Sequence, residues 1–421
     1  MLQPALDGHV PESVLPAEAV RPAAKASASL ARPRLRSADG PDVAVEDWDR
    51  AVELLRVAFN GGPNWFNAGV EPRAHITWKL VDYPGPTRAY FSEDQTSEDD
   101  ESLVGFVATL GRDWLVRGRH RVATDMVDAA LHPRLQGRVL VDTFRFLRRE
   151  VPAWNGADFS LSFASHPALI RNRGFQGKHD LGQSLETHIR PLDLVRFVRG
   201  DRLPTAEGAS RTRLQIEAER RRRRKPAAAR LLAWQLRLMR QRLDRAPLDA
   251  APQSSYAVTT ADRFDGRVDA LFERAAEAFD LVQVRHSDFL NWRYLDERAG
   301  QFTVRVAESG GEMLGYAVLN TARATADLAD LLVLPGRLDV ARSLVGDAMH
   351  LARQSGSSAV RSWMMRGHPY EPVLSHLGFV RVRTSTRPVL HANARTIPDE
   401  LAVLESPQVR VHLMLGDSDH V

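Results

Sequence analysis

The 421-residue sequence contains no cysteine. Disulfides, thiolate metal ligands, iron–sulfur clusters and cysteine nucleophiles are therefore excluded. Long apolar runs are also missing. A membrane-spanning helix needs about 18 consecutive apolar residues, and the best window, residues 231–239, is interrupted by Gln235 and Arg237. The first forty residues lack the apolar core of a signal peptide, because Pro4, Asp7, Pro11 and Glu12 break it. They are expected to form a disordered tail, residues 1–40, on a cytoplasmic protein. The full sequence is 43% hydrophobic and 26% charged, the balance of an ordinary globular protein rather than a rod or a disordered chain. A chain of this length predicts two or three domains.

Charge is unevenly distributed. The formal net charge is +4, but residues 199–249 carry fifteen Lys and Arg against six Asp and Glu, or +9, which leaves −5 for the rest. A fold that binds nucleic acid along its surface spreads basic residues over that surface, so nucleic acid is not the expected partner. The centre of the basic segment runs from Arg220 to Lys225 and stops at Pro226. Beyond it Leu231, Leu232, Trp234, Leu236, Leu238 and Leu243 suggest a helix. Residues 199–262 are thus expected to be a basic, partly helical linker, with weak polyanion contact through residues 220–225. The fourteen histidines show no His-Glu-x-x-His spacing and none clusters with carboxylates in sequence. No Walker loop, dinucleotide fingerprint or Gly-x-Ser-x-Gly elbow occurs, so neither a metal nor a redox cofactor is expected.

The most informative feature is a repeat of very long period. Trp78-Lys79-Leu80 is answered by Trp292-Arg293-Tyr294, each ending a predicted helix and followed by a strand-like segment, residues 89–92 and 302–307. Residues 103–107 then match 313–317, apolar strands with glycine before an aromatic residue. Residues 124–133 match 326–335 without a gap. Asp125, Asp128 and Pro133 fall in step with Asp327, Asp330 and Pro335. Gly174-Phe175 and Gly378-Phe379 close the series, 41 and 43 residues after the prolines. A period this long points to a duplicated domain rather than a solenoid. Each copy reads helix, three strands, helix, strand, short helix, strand, which predicts a mixed sheet with helices on its faces. Trp78, Trp292 and Tyr294 are expected to bury against the sheets.

At these residues the pattern resembles the GNAT superfamily of acyl-CoA-dependent N-acyltransferases, in tandem. The resemblance implies an α/β fold with two GNAT-like domains, residues 41–198 and 263–421, each a mixed, mostly antiparallel sheet flanked by helices. It places the fourth strand of the first copy at residues 125–131, the fifth at 158–163, and the closing element at Asn172, Arg173, Gly174 and Phe175. The turn between fourth strand and helix would receive the cofactor pyrophosphate, since the first N–H groups of a helix have no partner and the dipole adds positive potential. Arg134, Gln136, Gly137, Arg138 and Val139 form that turn. Val139 and Val141 depart from the family's small residues, and the second copy, with Asp339 in its turn, lacks the signature. The first copy is therefore expected to bind acetyl-CoA or another acyl-CoA, and the second to be degenerate.

Acyl transfer to an amine needs a proton acceptor, a donor for the oxyanion and an acid for the thiolate. By the same resemblance the oxyanion donor is a backbone amide among Ala129 to Leu131, and Asp128 is the base. Ile170 replaces the family's tyrosine, so His166 is the candidate acid. Asn64, Trp65 and Phe66, in a turn-rich loop, would select the acceptor, a primary amine such as an amino sugar. Two alternatives stand beside this: an inactive GNAT-like binding protein using its basic linker, and a Fem-type aminoacyltransferase.

Overall fold

The computed structural model describes residues 34–59, 70–94, 103–133, 157–164, 178–199, 255–382, 387–392 and 399–418. Two sheets flanked by helices organise them. The first half supplies strands β1 (Arg34–Asp39), β2 (Thr87–Glu93), β3 (Leu103–Val116), β4 (Arg119–Leu131), β5 (Phe159–Ala164), β6 (Lys178–Asp180) and β7 (Leu185–Pro191). Helices α1 (Val45–Ala58) and α2 (Pro72–Leu80) lie between β1 and β2, and α3 (Leu194–Arg199) follows β7. In α1, Trp48, Ala51, Leu54 and Leu55 fall on one face and are buried, which fixes the helix against the sheet. Pro72 opens α2, and the Glu71 carboxylate accepts from the backbone N–H groups of Arg73 and Ala74, satisfying two otherwise unpaired donors.

The second half runs β8 (Ala257–Thr260), α4 (Gly266–Ala276), β9 (Leu281–Gln283), α5 (Ser287–Tyr294), β10 (Phe302–Ser309), β11 (Glu312–Asn320) and β12 (Thr325–Val333). It continues through α6 (Leu338–Gln354), β13 (Ala359–Met365), α7 (Glu371–His376), β14 (Val380–Val382), β15 (Arg387–Ala392) and β16 (Val411–His412). Both α4 and α6 bury residues at helical spacing, Val268, Leu271, Phe272 and Ala275 in one and Val340, Leu344, Val345, Ala348 and Ala352 in the other.

The sheets follow the same plan. One runs β1-β2-β3-β4-β5-β15-β6 and the other β8-β10-β11-β12-β13-β7-β14. In each path the only parallel neighbours are β4 with β5 and β12 with β13. These pairs touch briefly, at Ala123 and Thr124 opposite Phe159 and Ser160, and at residues 325–327 opposite 359–361. Beyond that the strands carry no ladder to each other, so each sheet splays open at its centre.

The last strands are exchanged. β7, from the first half, inserts between β13 and β14, while β15, from the second half, inserts between β5 and β6. Residues 41–198 and 263–421 are therefore not self-contained in the described structure. Residues 34–39, assigned to a tail on composition, instead form β1, whose six residues pair with β2. Likewise β8 forms within the expected linker and pairs with β10. Most of the linker, with residues 220–225, lies outside the described residues.

At the junction Trp78 and Trp292 stack on each other, ring centroids 4.7 Å apart and planes within 13°. Trp78 Nε1 donates to the Trp292 carbonyl at 2.8 Å, and Trp292 Nε1 to the Trp78 carbonyl at 2.9 Å. Trp78 is thus buried against its partner as well as the sheet, while Trp292 is half-buried. Such a pair satisfies both indole donors while removing two large rings from water.

Candidate active site

The central opening of the first sheet is shaped by a bulge in β4. Phe106 pairs with Ala130 and Ala108 with Val127, so Asp128 and Ala129 together oppose Val107. Two residues against one bends the strand and takes their backbone out of the ladder. Asp128 adopts φ +53°, a left-handed conformation that aspartate tolerates better than most residues. Its side chain points inward and is buried, with Lys79 Nζ donating to Oδ1 at 2.9 Å. Ala129 is exposed. A bulged backbone thus faces the splay between β4 and β5, backed by a buried ion pair. Asp125, three residues earlier on β4, pairs with Arg112 at 2.9 Å.

The second sheet also bulges beside its aspartate, one residue earlier along the repeat, and there it is filled. Val318 pairs with Asp330 and Leu319 with Leu328, leaving Ala329 as the extra residue. Here Ala329 is fully buried, because the C-terminal segment packs over it. Val411 and Leu413 to Leu415 are buried, and Gly416 sits so close that an added Cβ would lie 1.8 Å from Tyr294 Oη and 3.1 Å from the Ala329 carbonyl oxygen.

A network of three arginines and three aspartates anchors this segment between the sheets. Arg285 Nε donates to Asp330 Oδ2 at 3.0 Å, and its Nη2 lies 2.8 Å from both Asp417 carboxylate oxygens. Arg112 reaches Asp125, the Asp417 carbonyl at 3.0 Å and Gln283 Oε1 at 3.1 Å. Arg293 donates to the carbonyls of Gly416 and Ser418. All six side chains are at most 7% exposed. Tyr316 adds a hydrogen bond to Asp330 at 3.0 Å.

Burial alone would push the Asp330 carboxyl up, but Arg285 and His412 overcome it and hold the group well below the usual carboxylate range. A histidine chain leads away from it. The His368 Nδ1 accepts from the Tyr370 N–H at 3.1 Å, so in the neutral ring Nε2 carries the hydrogen and donates to His412 Nδ1 at 2.9 Å. That assigns the remaining hydrogen to His412 Nε2, 3.8 Å from Asp330 Oδ1, too long for a direct hydrogen bond. Burial lowers both imidazoles, assisted at His368 by His412 and at His412 by Arg285. His75, beside Lys79, is lowered to about 4, by burial first and by Lys79 next.

Of the expected site residues, the described structure includes Asp128 and Ala129 at the bulge and Leu131 just beyond it, paired with Gly105. His166, Arg134, Gln136, Gly137, Arg138, Val139, Asn64, Trp65 and Phe66 lie outside the described residues. Lys79, Arg112, Arg285, Arg293 and Asp417 were not anticipated. Lys79 sits in the repeated Trp-Lys-Leu landmark, a signal in plain view. Asp417 carries no signal, since its partners lie far away in sequence.

No protein-family profile and no curated protein sequence matches this chain. Its fold does have solved counterparts. A conserved protein of Enterococcus faecalis described as a probable N-acyltransferase superposes with a TM-score of 0.52 at 12% identity, covering 86% of this chain and 72% of its own. N-myristoyltransferase of Saccharomyces cerevisiae with bound myristoyl-CoA gives a TM-score of 0.52 at 14% identity, covering 87% and 81%. A GCN5-related N-acetyltransferase of Anabaena variabilis gives 0.52 at 10%, covering 86% and 73%. Two mixed sheets flanked by helices, each opened at a parallel strand pair, give this chain the GNAT fold.

Proposed function

We propose that the chain is an acyl-CoA-dependent N-acyltransferase working in the opening between β4 and β5. The carrying observation is the contrast between the bulges: Ala129 is exposed, whereas Ala329 is covered by the chain's own C-terminal segment. The same order of strands, the same parallel pair and the reciprocal Trp78–Trp292 contact support descent of the two halves from one duplicated unit. The yeast neighbour holds myristoyl-CoA, so acyl-CoA in general, rather than acetyl-CoA alone, is the proposed donor. The acceptor is a primary amine.

Acyl-CoA supplies the activated thioester; the protein's residues supply position and charge. The amide of Ala129 or its neighbours orients the carbonyl and steadies the oxyanion. Asp128 takes the amine proton, relayed by water because the carboxylate is buried, and Lys79 fixes its place behind the bulge. His166 protonates the leaving thiolate, while Arg134, Gln136, Gly137, Arg138 and Val139 receive the pyrophosphate. Asn64, Trp65 and Phe66 are the residues assigned to selecting the amine.

Release of free thiol from acetyl- to palmitoyl-CoA in the presence of an amine panel tests the reading. Ala129→Pro removes one strand N–H and should lower kcat/KM by about 100-fold or more if that amide is the oxyanion donor, with folding checked by circular dichroism. Gly137→Glu should abolish acyl-CoA binding by calorimetry. Wild-type protein that neither binds acyl-CoA at millimolar concentration nor releases thiol would remove the proposal.

A further inference from the structure

The exchanged strand β7 carries chemistry that acyl transfer does not use. Side chains alternate along a strand, so Glu186 and His188 share a face, and α7 begins above it with Glu371. One carboxylate oxygen from each glutamate and one ring nitrogen of His188 lie within 4.8 Å of one another. His188 is 4% exposed, and its Nε2 is buried without a hydrogen-bond partner among the described residues. A buried imidazole nitrogen left unpaired is costly, and a lone pair held near two carboxylates is suited to a cation. Sequence spacing hid the cluster, because Glu371 is far from the other two residues.

The charged groups facing the cluster are Arg381, after β7 on the neighbouring strand β14, and Arg366, just beyond β13. Arg381 Nη1 lies 3.2 Å from Glu186 and 3.6 Å from Glu371, and Arg366 lies 3.4 Å from Glu186. The Gly367 N–H also donates to Glu371 Oε2 at 3.0 Å. One exposed guanidinium therefore bridges both carboxylates, the position a divalent ion would take. Its side chain is 47% exposed and free to swing into water.

We propose that Glu186, His188 and Glu371 bind a divalent transition-metal ion of the zinc class, displacing Arg381 and clamping β7 to α7. Ligand atoms around tetrahedral zinc stand about 3.4 Å apart, so closure needs a contraction of about an ångström, within rotamer reach of two glutamates. With no thiolate in the chain, two carboxylates, one imidazole and water make the set. Because β7 comes from the first half and α7 from the second, the ion cross-links the halves and stabilises the native chain in proportion to its occupancy.

The test uses untagged, metal-free full-length protein titrated with Zn2+ by calorimetry and with Co2+ by visible absorption, with melting followed in parallel. One ion per chain at micromolar affinity or tighter, with a raised melting temperature, is expected. His188→Gln and Glu371→Gln should each weaken binding 10- to 100-fold, and Arg381→Ala should tighten it by removing the competing cation. Should His188→Gln fail to fold, Glu371→Gln at the cluster's solvent edge carries the decision. Absence of binding below millimolar Zn2+, or binding of unchanged stoichiometry and affinity in a folded variant, would overturn the site and mark any uptake as adventitious.

Discussion

Asp128 and Asp330 hold matching places in β4 and β12 yet meet different surroundings. One faces Lys79 behind an open bulge, and the other is surrounded by Arg285, Tyr316 and His412 in a closed interior. The tryptophans at the junction show what a single side chain contributes there. Trp78→Phe retains the stacked ring but leaves the Trp292 carbonyl without its donor, so the variant should lose about 1–3 kcal/mol in chemical denaturation; a loss under a few tenths would show that the reciprocal bonds are incidental. The buried histidines set the acid response. The ordinary histidine value is 6.5, whereas folded His75 titrates at about 4, and His368 and His412 also lie below 6.5. Below 6.5 the unfolded chain therefore binds protons that the native chain refuses, and stability falls as pH drops from about 6.5 towards 4. Denaturation midpoints unchanged between pH 7 and 4.5 would contradict this.

Strands and their endings decide where the openings lie. The repeat of Asp, Asp and Pro marks the ends of β4 and β12, and both strands form where the pattern places them. Residues 158–163 and 358–364 likewise become β5 and β13 within a residue at each end. What periodicity did not disclose is the C-terminal segment. Leu413, Met414 and Leu415 read as one more apolar stretch, and only the filled gap beside β12 gives them a role. Gly416 is the element's tightest point. Gly416→Ala drives a Cβ into Tyr294, and overpacking of this kind costs about 1–3 kcal/mol. The expected result is faster amide exchange across residues 411–418 together with lower stability, whereas wild-type exchange in the variant would mean the segment is loosely held.

At the scale of the whole molecule, exchange of β7 and β15 makes the halves interdependent. Chains 1–254 and 255–421, expressed separately, each lack a strand from the middle of their own sheet, and each exposes ladder groups that natively pair. Neither should fold alone, and mixing them should restore a compact complex by size exclusion and circular dichroism. Two separately folded halves that do not associate would argue against the exchange. Composition, the order of elements within each copy and the paired landmarks were legible, because they depend on side-chain periods within a few residues. Which sheet receives each last strand, which bulge stays open, and how Arg112 meets Asp417 across 305 positions belonged to the tertiary structure alone. Strands with like alternation pair equally well on local grounds, and only packing between distant segments separates one arrangement from the other.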